Sequence, residues 1–310
     1  MIAAALQLTR NIRLGTGVNC LPNHNPAVLA HRIAQLDQMA KGRFNWGIGT
    51  GGFPGDFVLF DYTPEGGQNR QITREAVDLV LQIWEAARRG DGAGLASETD
   101  RWKFTLPERA DWGLWTHMVP YQQPHPPIAV AGLSAKSDTL VMAGERGWIP
   151  MSINIVTAPT LRAHWETYAA SAERAGRVPD RATWRIARDV YVGETPEQAR
   201  RDVLEGVVGR DWRDYFLPLL TKSKLLIAPK LDPAMPDEDV TLEYLCEHIW
   251  IVGDAAEVTE KLRRLSDEVG GFGTLLVIGH EWTPREQWLN SMHRLVEEVM
   301  PRLQESPPAA

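Results

Sequence analysis

Short runs in which apolar residues alternate with small or polar ones recur along the chain, separated by stretches whose apolar positions return every three or four residues. The first pattern belongs to strands and the second to helices. Six runs predict strands: Ile12–Val18 (IRLGTGV), Phe44–Gly49 (FNWGIG), Ile128–Leu133 (IAVAGL), Trp148–Ile153 (WIPMSI), Arg185–Val192 (RIARDVYV) and Thr274–Gly279 (TLLVIG). Helices are predicted over Pro26–Met39, Gln71–Arg89, Ser137–Gly144, Thr160–Ala175, Pro196–Gly206, Ala255–Val269 and Pro284–Leu303. The stretch IAAALQL after Met1 reads as the end of a helix, too short to span a bilayer and without a basic leader or cleavage site. Thr195, followed by Pro196 and by Gln198, has capping-box spacing. Strands alternating with helices build a parallel sheet wrapped in helices, so the fold class is α/β.

Strand phase adds a second layer. Phe44, Trp46 and Ile48 share one face, against Asn45, Gly47 and Gly49 on the other; Ile12, Leu14 and Thr16 likewise oppose Arg13, Gly15 and Gly17. A nearly bare face either leaves room for a ligand near the strand ends or relieves crowding at a tight centre. Two strands sharing the pattern favour a cavity. Two segments break the rhythm, 89–122 and 210–247, and read as irregular insertions of the kind that form lids or binding loops. Residues 304–310 read as a disordered tail, leaving 1–303 as one domain.

Composition narrows the function. The formal net charge of −7 excludes nucleic acid as the main partner, because phosphate backbones need a basic face. Arg10, Arg13, Arg32, Lys41 and Arg43 against the single acid Asp37 form either a site for a small anion or a solvated face. Cys20 and Cys246 lie far apart with no metal spacing, which points to a reducing, cytoplasmic setting without zinc. No two of the eight histidines share the HxH or HxxxH spacing of adjacent metal ligands, so no metal site is expected. The chain has 12 Trp against 7 Phe and 6 Tyr, hence several broad apolar platforms for packing or for a pocket wall.

Several motifs in order carry a resemblance: TRNIRLGTGV, then LPNHNPAVLAHRIAQLDQMAKGRFNWGIGTGG, NRQITREAVDLVLQIWE, PHPPIAVAGLSAKS and EVGGFGTLLVIGHEW, with VMPRL near the end. Together they resemble the bacterial-luciferase-like flavin monooxygenases, and within them the limonene-monooxygenase type. The resemblance implies a (β/α)8 TIM-type barrel, here N-terminally incomplete with about six of eight strands, and insertion segments. It implies reduced FMN supplied by a separate flavin reductase, O2 as co-substrate, a small, mostly apolar organic substrate and a homodimer. An F420-dependent oxidoreductase of the same superfamily is the alternative, and a non-catalytic truncated fragment a third reading.

Carried over residue by residue, the resemblance puts the flavin ring against Gly17 and Val18, where relatives have a non-prolyl cis peptide, with Asn19 close by. The phosphate falls to Thr50, where luciferase itself has an arginine, to Arg70, and to the turn Ala131, Gly132, Ser134 and Ser137. A strand-to-helix turn suits phosphate through its backbone N–H groups, although either serine also suits a helix cap. The family's catalytic histidine lies on a strand ahead of this chain's first one, so the catalytic residue is left unassigned. His24 follows the first strand and is not its counterpart. In a sulfonate-oxidising relative the positions of Ala187 and Asp189 carry arginine and histidine, which speaks against a sulfonate here. Asp189 reads as orienting a polar group or, more plainly, as pairing with Arg185 or Arg188; His280, Glu281 and Trp282 follow the last strand, at the end where barrels of this kind do chemistry.

Overall fold

The computed structural model describes residues 1–90, 95–99, 101–107, 110–112 and 119–304. The chain divides into two compact units, Met1–Ala131 and Gly132–Ala310, each built of parallel strands alternating with helices. Among the described residues no helix is long and apolar enough to cross a membrane.

The first unit begins with α1 (Ile2–Leu8), as the apolar stretch predicts, followed by β1 (Leu14–Gly15), β2 (Asn19–Cys20), α2 (Pro26–Ala40) and β3 (Phe44–Gly49). Then come α3 (Pro54–Leu59), α4 (Gln68–Arg89), the antiparallel pair β4 (Ala96–Glu98) and β5 (Lys103–Thr105), and β6 (Ile128–Gly132). Of the strand expected over 12–18 only Leu14–Gly15 forms, and pairing resumes just past it at Asn19–Cys20. Both pieces run parallel to β3, and between them the Gly17–Val18 peptide is cis. Thr16 bridges the gap: its Oγ1 donates to the Gly47 carbonyl at 2.7 Å and accepts from the Gly47 N–H at 2.9 Å, so a side chain replaces a ladder partner. β3 pairs in turn with β6, Gly47 opposite Ala129.

The apolar face of β3 behaves as its phase requires. Phe44, Trp46 and Ile48 are fully buried, and Trp46 meets Trp84 of α4 edge-on at 5.4 Å. Helix α2 starts where Asn25 accepts from the N–H groups of Ala27 and Val28, with Pro26 in the first turn, and stops at Lys41, whose φ is 48°. The bare face is a correction. A Cβ on Gly47 would run into the Thr16 carbonyl, one on Gly15 would lie 2.8 Å from the Asn45 carbonyl, and one on Gly49 2.6 Å from Val18 Cγ2. Those glycines let neighbouring chain approach closely rather than leaving a cavity. Only Gly17 of that set faces open space, with no atom within 4 Å of an added Cβ.

In the second unit, β7 (Ile149–Ser152) and β11 (Thr274–Val277) flank β8 (Arg185–Arg188) in parallel, while β9 (Val190–Val192) pairs with β10 (Ile251–Gly253). The expected strand 185–192 is therefore broken at Asp189, where the chain changes partners: the Arg188 carbonyl accepts from Ile278 and the Asp189 carbonyl from Ile251. The helices are α5 (Asp138–Arg146), α6 (Ala158–Arg174), α7 (Pro196–Glu205), α8 (Val207–Asp211), α9 (Leu217–Lys222), α10 (Leu242–His248), α11 (Ala255–Val269), α12 (Arg285–Arg294) and α13 (Met300–Gln304). Thr195 caps α7 by accepting from Gln198 N–H at 3.2 Å, while the Gln198 side chain accepts from Glu194 N–H.

The insertion expected as irregular over 210–247 starts inside a helical run. α8, a π-helical turn at Trp212–Phe216 and α9 follow without a break, burying Val208, Trp212 and Leu220 four and then eight residues apart, a stripe that charged neighbours and Pro218 obscure in the sequence. Of the other insertion, residues 91–94, 100, 108–109 and 113–118 lie outside the described residues, as do 305–310 of the tail; Gln304 closes α13.

Candidate active site

In the first unit the residues drawn to the flavin by resemblance gather around one corner. Val18 packs its side chain over Gly49, and Asn19 pairs with Ile48 while its Oδ1 accepts from Trp46 Nε1 at 3.1 Å. Thr50 follows β3, and the Thr50 and Gly51 carbonyls accept from Asn69 Nδ2 at 3.5 and 3.4 Å. Those bonds tie the first turn of α4, which carries the exposed Arg70 with its guanidinium over Gly67, to the end of β3. Tyr62 closes the corner, its hydroxyl donating to Asn23 Oδ1 at 2.9 Å; burial and the nearby Asp56 push it up to about 12.

In the second unit the turn 132–137 is held from below. His164 is fully buried and joins a relay: Trp184 Nε1 donates to Ser152 Oγ at 3.0 Å, Ser152 meets His164 Nδ1 at 2.9 Å, and His164 Nε2 reaches the Ser134 carbonyl at 3.0 Å. A carbonyl only accepts, so Nε2 carries the ring proton and Nδ1 takes the serine's. Burial holds His164 at about 4, hence neutral. Thr167 Oγ1 donates to the Ala135 carbonyl at 3.2 Å, so α6 grips the turn at two points. Ser137 occupies the N-cap position of α5, yet its buried hydroxyl bonds Thr139 Oγ1 at 2.7 Å instead of a helix amide.

Three neighbouring parallel strands in this unit end on polar groups that converge. Asn154 lies two residues past β7, Asp189 one past β8 and His280 three past β11. Asp189 Oδ1 meets His280 Nε2 at 2.7 Å and Oδ2 accepts from Asn154 Nδ2 at 2.7 Å. The second ring nitrogen of His280 lies 3.2 Å from Asp211 Oδ2 on α8. The Asp189 and His280 side chains are 3% and 6% exposed against 32% for Asp211, so the pair is sealed and the outer carboxylate is the one that meets water. Burial disfavours a charged imidazole here, but the hydrogen bonds and charges of Asp189 and Asp211 outweigh it and raise the His280 pKa. Arg188 turns the other way, to the carbonyls of Asn154, Val156 and Ala187, and burial brings it down to about 10. Asp189 thus takes its hydrogen bonds from histidine and asparagine, while the buried Arg188 acts on it through charge.

Parallel α/β proteins place their chemistry at the carboxyl ends of strands, and this cluster lies there. The luciferase-like monooxygenase model matches residues 1–271. The chain belongs to the luciferase-like monooxygenase family. It is 30% identical to 2,5-diketocamphane 1,2-monooxygenase 1 of Pseudomonas putida over 98% of its own length and 84% of that protein's, and 30% identical to limonene 1,2-monooxygenase of Rhodococcus erythropolis over 97% and 71%. A solved structure, the oxygenating constituent of 3,6-diketocamphane monooxygenase of Pseudomonas putida in complex with FMN, a type II Baeyer-Villiger monooxygenase, superposes with a TM-score of 0.85. It shares 30% identity, covering 97% of this chain and 82% of that one.

Within this luciferase-like chain, the residues singled out from sequence fall into two groups, each described in its own unit. Gly17, Val18, Asn19, Thr50 and Arg70 belong to the β2–β3 corner and the α4 turn bonded to it; Ala131 lies at the end of β6. Gly132 closes that strand, followed by the exposed Ser134 and the buried Ser137. Sequence reasoning missed Asn154, Asp211 and His164. Asn154 was recoverable, because it directly follows a predicted strand; Asp211 and His164 gain their meaning only from contacts between distant segments.

Proposed function

We propose that this chain is the oxygenating component of a flavin-dependent monooxygenase, which uses reduced FMN from a separate flavin reductase, and O2, to oxygenate a small, mostly apolar organic molecule. One observation carries the reading: identity and fold shared over nearly the whole chain with an oxygenating constituent described in complex with FMN. The same likeness supports assigning the parallel strands to a (β/α)8 barrel, and the family supports a homodimer in the cytoplasm.

The residues present fit the cofactor. Gly17 leaves open space beside its peptide with Val18, the kind of surface a flat ring needs, and Arg70 is an exposed cation at the α4 turn. We assign Gly17, Val18, Asn19, Thr50, Arg70 and Ala131 to FMN contact; within the second unit, Gly132, Ser134 and Ser137 lie in a strand-to-helix turn of the kind that suits a phosphate. When bound, reduced FMN supplies the electrons that activate O2. The protein's own part is to fix the ring and phosphate, to exclude water and to orient the substrate. His164 serves the first of these from a distance by fixing the Ser134 carbonyl, and the paired Asp189 and His280 offer a proton held at strand ends.

The test is oxygen uptake by the purified chain with FMN, NADH and a flavin reductase, using limonene and 2,5-diketocamphane as probes. Probe-dependent uptake with transfer of one oxygen atom supports the reading. Reduction of F420 by a substrate, with no oxygen uptake under any condition, overturns it.

A further inference from the structure

The strand-end cluster does more than hold a proton. Its outer member, Asp211, is the last residue of α8 and leads straight into the π-helical turn and α9, so His280 is the polar link between the strand ends and the helical run 207–222. Apolar contacts also hold that run: Trp212 is fully buried and meets Trp250 edge-on at 5.6 Å. Such contacts are non-directional and permit rotation and sliding. A hydrogen bond to a fixed ring sets one register.

Geometry specifies the state of that ring. Both of its neighbours are carboxyl groups, and ionised carboxylates only accept, so satisfying both contacts takes two N–H groups and therefore an imidazolium. A neutral ring has a single N–H and must give up one carboxylate. The retained one is Asp189, whose contact is shorter at 2.7 Å and whose second oxygen is fixed by Asn154. The released one is Asp211, at 3.2 Å, which is more exposed and has a second cation in Arg210 at 3.3 Å. Arg188, whose charge acts on Asp189, donates its hydrogen bonds to three backbone carbonyls and none to the His280 ring.

We propose that His280 is a positioning residue of the oxygenase: as an imidazolium bridging Asp189 and Asp211, it fixes the helical run 207–222 against the strand ends where substrate is oriented. The role in substrate handling rests on the monooxygenase reading; the bridge itself does not. Loss of the proton frees Asp211, loosens the run and weakens substrate binding more than turnover.

Hydrogen exchange on the whole, substrate-free chain tests the bridge without flavin or oxygen. Protection of amides 207–222, corrected for intrinsic exchange, is followed from roughly pH 6 to 10 in the wild type, His280→Gln and Asp211→Asn. In the wild type it should hold at the acid end and fall about fivefold as the imidazolium is lost, the worth of one hydrogen bond. Both variants should be low and flat with pH, with 255–269 unchanged. Should His280→Gln lose protection over 255–269 as well, Asp211→Asn, which leaves the Asp189 pair intact, decides alone. In oxygen uptake with the better of the two probes, Asp211→Asn should raise KM about fivefold with little change in kcat. Equal protection of 207–222 in wild type and Asp211→Asn at every pH, or changed exchange with unchanged KM, overturns the proposal. Absence of any oxygen uptake with an intact pH profile overturns the enzyme reading and leaves the bridge standing.

Discussion

His280 Nε2 lies 2.7 Å from Asp189 Oδ1, and both side chains are almost completely buried at the ends of adjacent parallel strands. Replacing Asp189 by Asn keeps the shape and removes the charge that supports the imidazolium. Oxygenation by Asp189→Asn should fall at least about tenfold, and the fold should lose roughly 1–3 kcal/mol, because a buried hydrogen-bonding group is left poorly paired. Oxygen-uptake rates and urea midpoints check both numbers.

The two buried histidines should move stability in opposite directions with pH. The folded pKa of His280 is raised, so its contribution is complete below the ordinary imidazole value of about 6.5 and is lost as pH rises through the folded value. The folded pKa of His164 is lowered to about 4, so its contribution is complete above the ordinary value and is lost as pH falls towards 4. The latter loss amounts to roughly 3 kcal/mol at most. Urea midpoints of the wild type between neutral pH and about pH 4.5 should drop more steeply than those of His164→Gln.

Close approach between β3 and the chain at Thr16 makes Gly47 intolerant of a side chain. Gly47→Ala should cost about 1–3 kcal/mol, since the added carbon meets backbone that cannot turn aside. Gly52→Ala, where an added carbon meets nothing within 4 Å, is the control and should stay within about 0.5 kcal/mol of the wild type. Thermal unfolding of the two variants side by side gives the comparison.

Arg70 separates phosphate recognition from ring recognition. With Arg70→Ala, the Kd for FMN should rise about tenfold, the loss of one charge-assisted hydrogen bond, while that for riboflavin, which lacks the phosphate, should stay unchanged. Fluorescence titration with both flavins measures it; equal weakening of both would place Arg70 elsewhere.

How much of this was legible beforehand follows from what each feature depends on. β3 was read to the residue because Phe44, Trp46 and Ile48 alternate with smaller residues and one face is fully buried. Helix α11 was equally plain, with Asp254 at its cap and Gly270 just past its end. The break of 185–192 at Asp189 was not, since it records a change of strand partner and RIARDVYV contains no glycine or proline to mark it. β10 spans three residues, too few to display a period. The bare glycine face was visible but its meaning was not: whether a glycine admits a ligand or a neighbouring backbone depends on what stands opposite, and opposite Gly47 stands Thr16. Asp189 and His280 were each noticed singly, 91 positions apart; their pairing required the register of β8 with β11.

The most direct test of FMN as the working cofactor is an anaerobic titration of the full chain with reduced FMN and, separately, with reduced F420, followed by quenching of its 12 tryptophans. Saturable quenching by reduced FMN, with a weak or absent response to F420, is the expected result. Saturable quenching by F420 with none by FMN would contradict it.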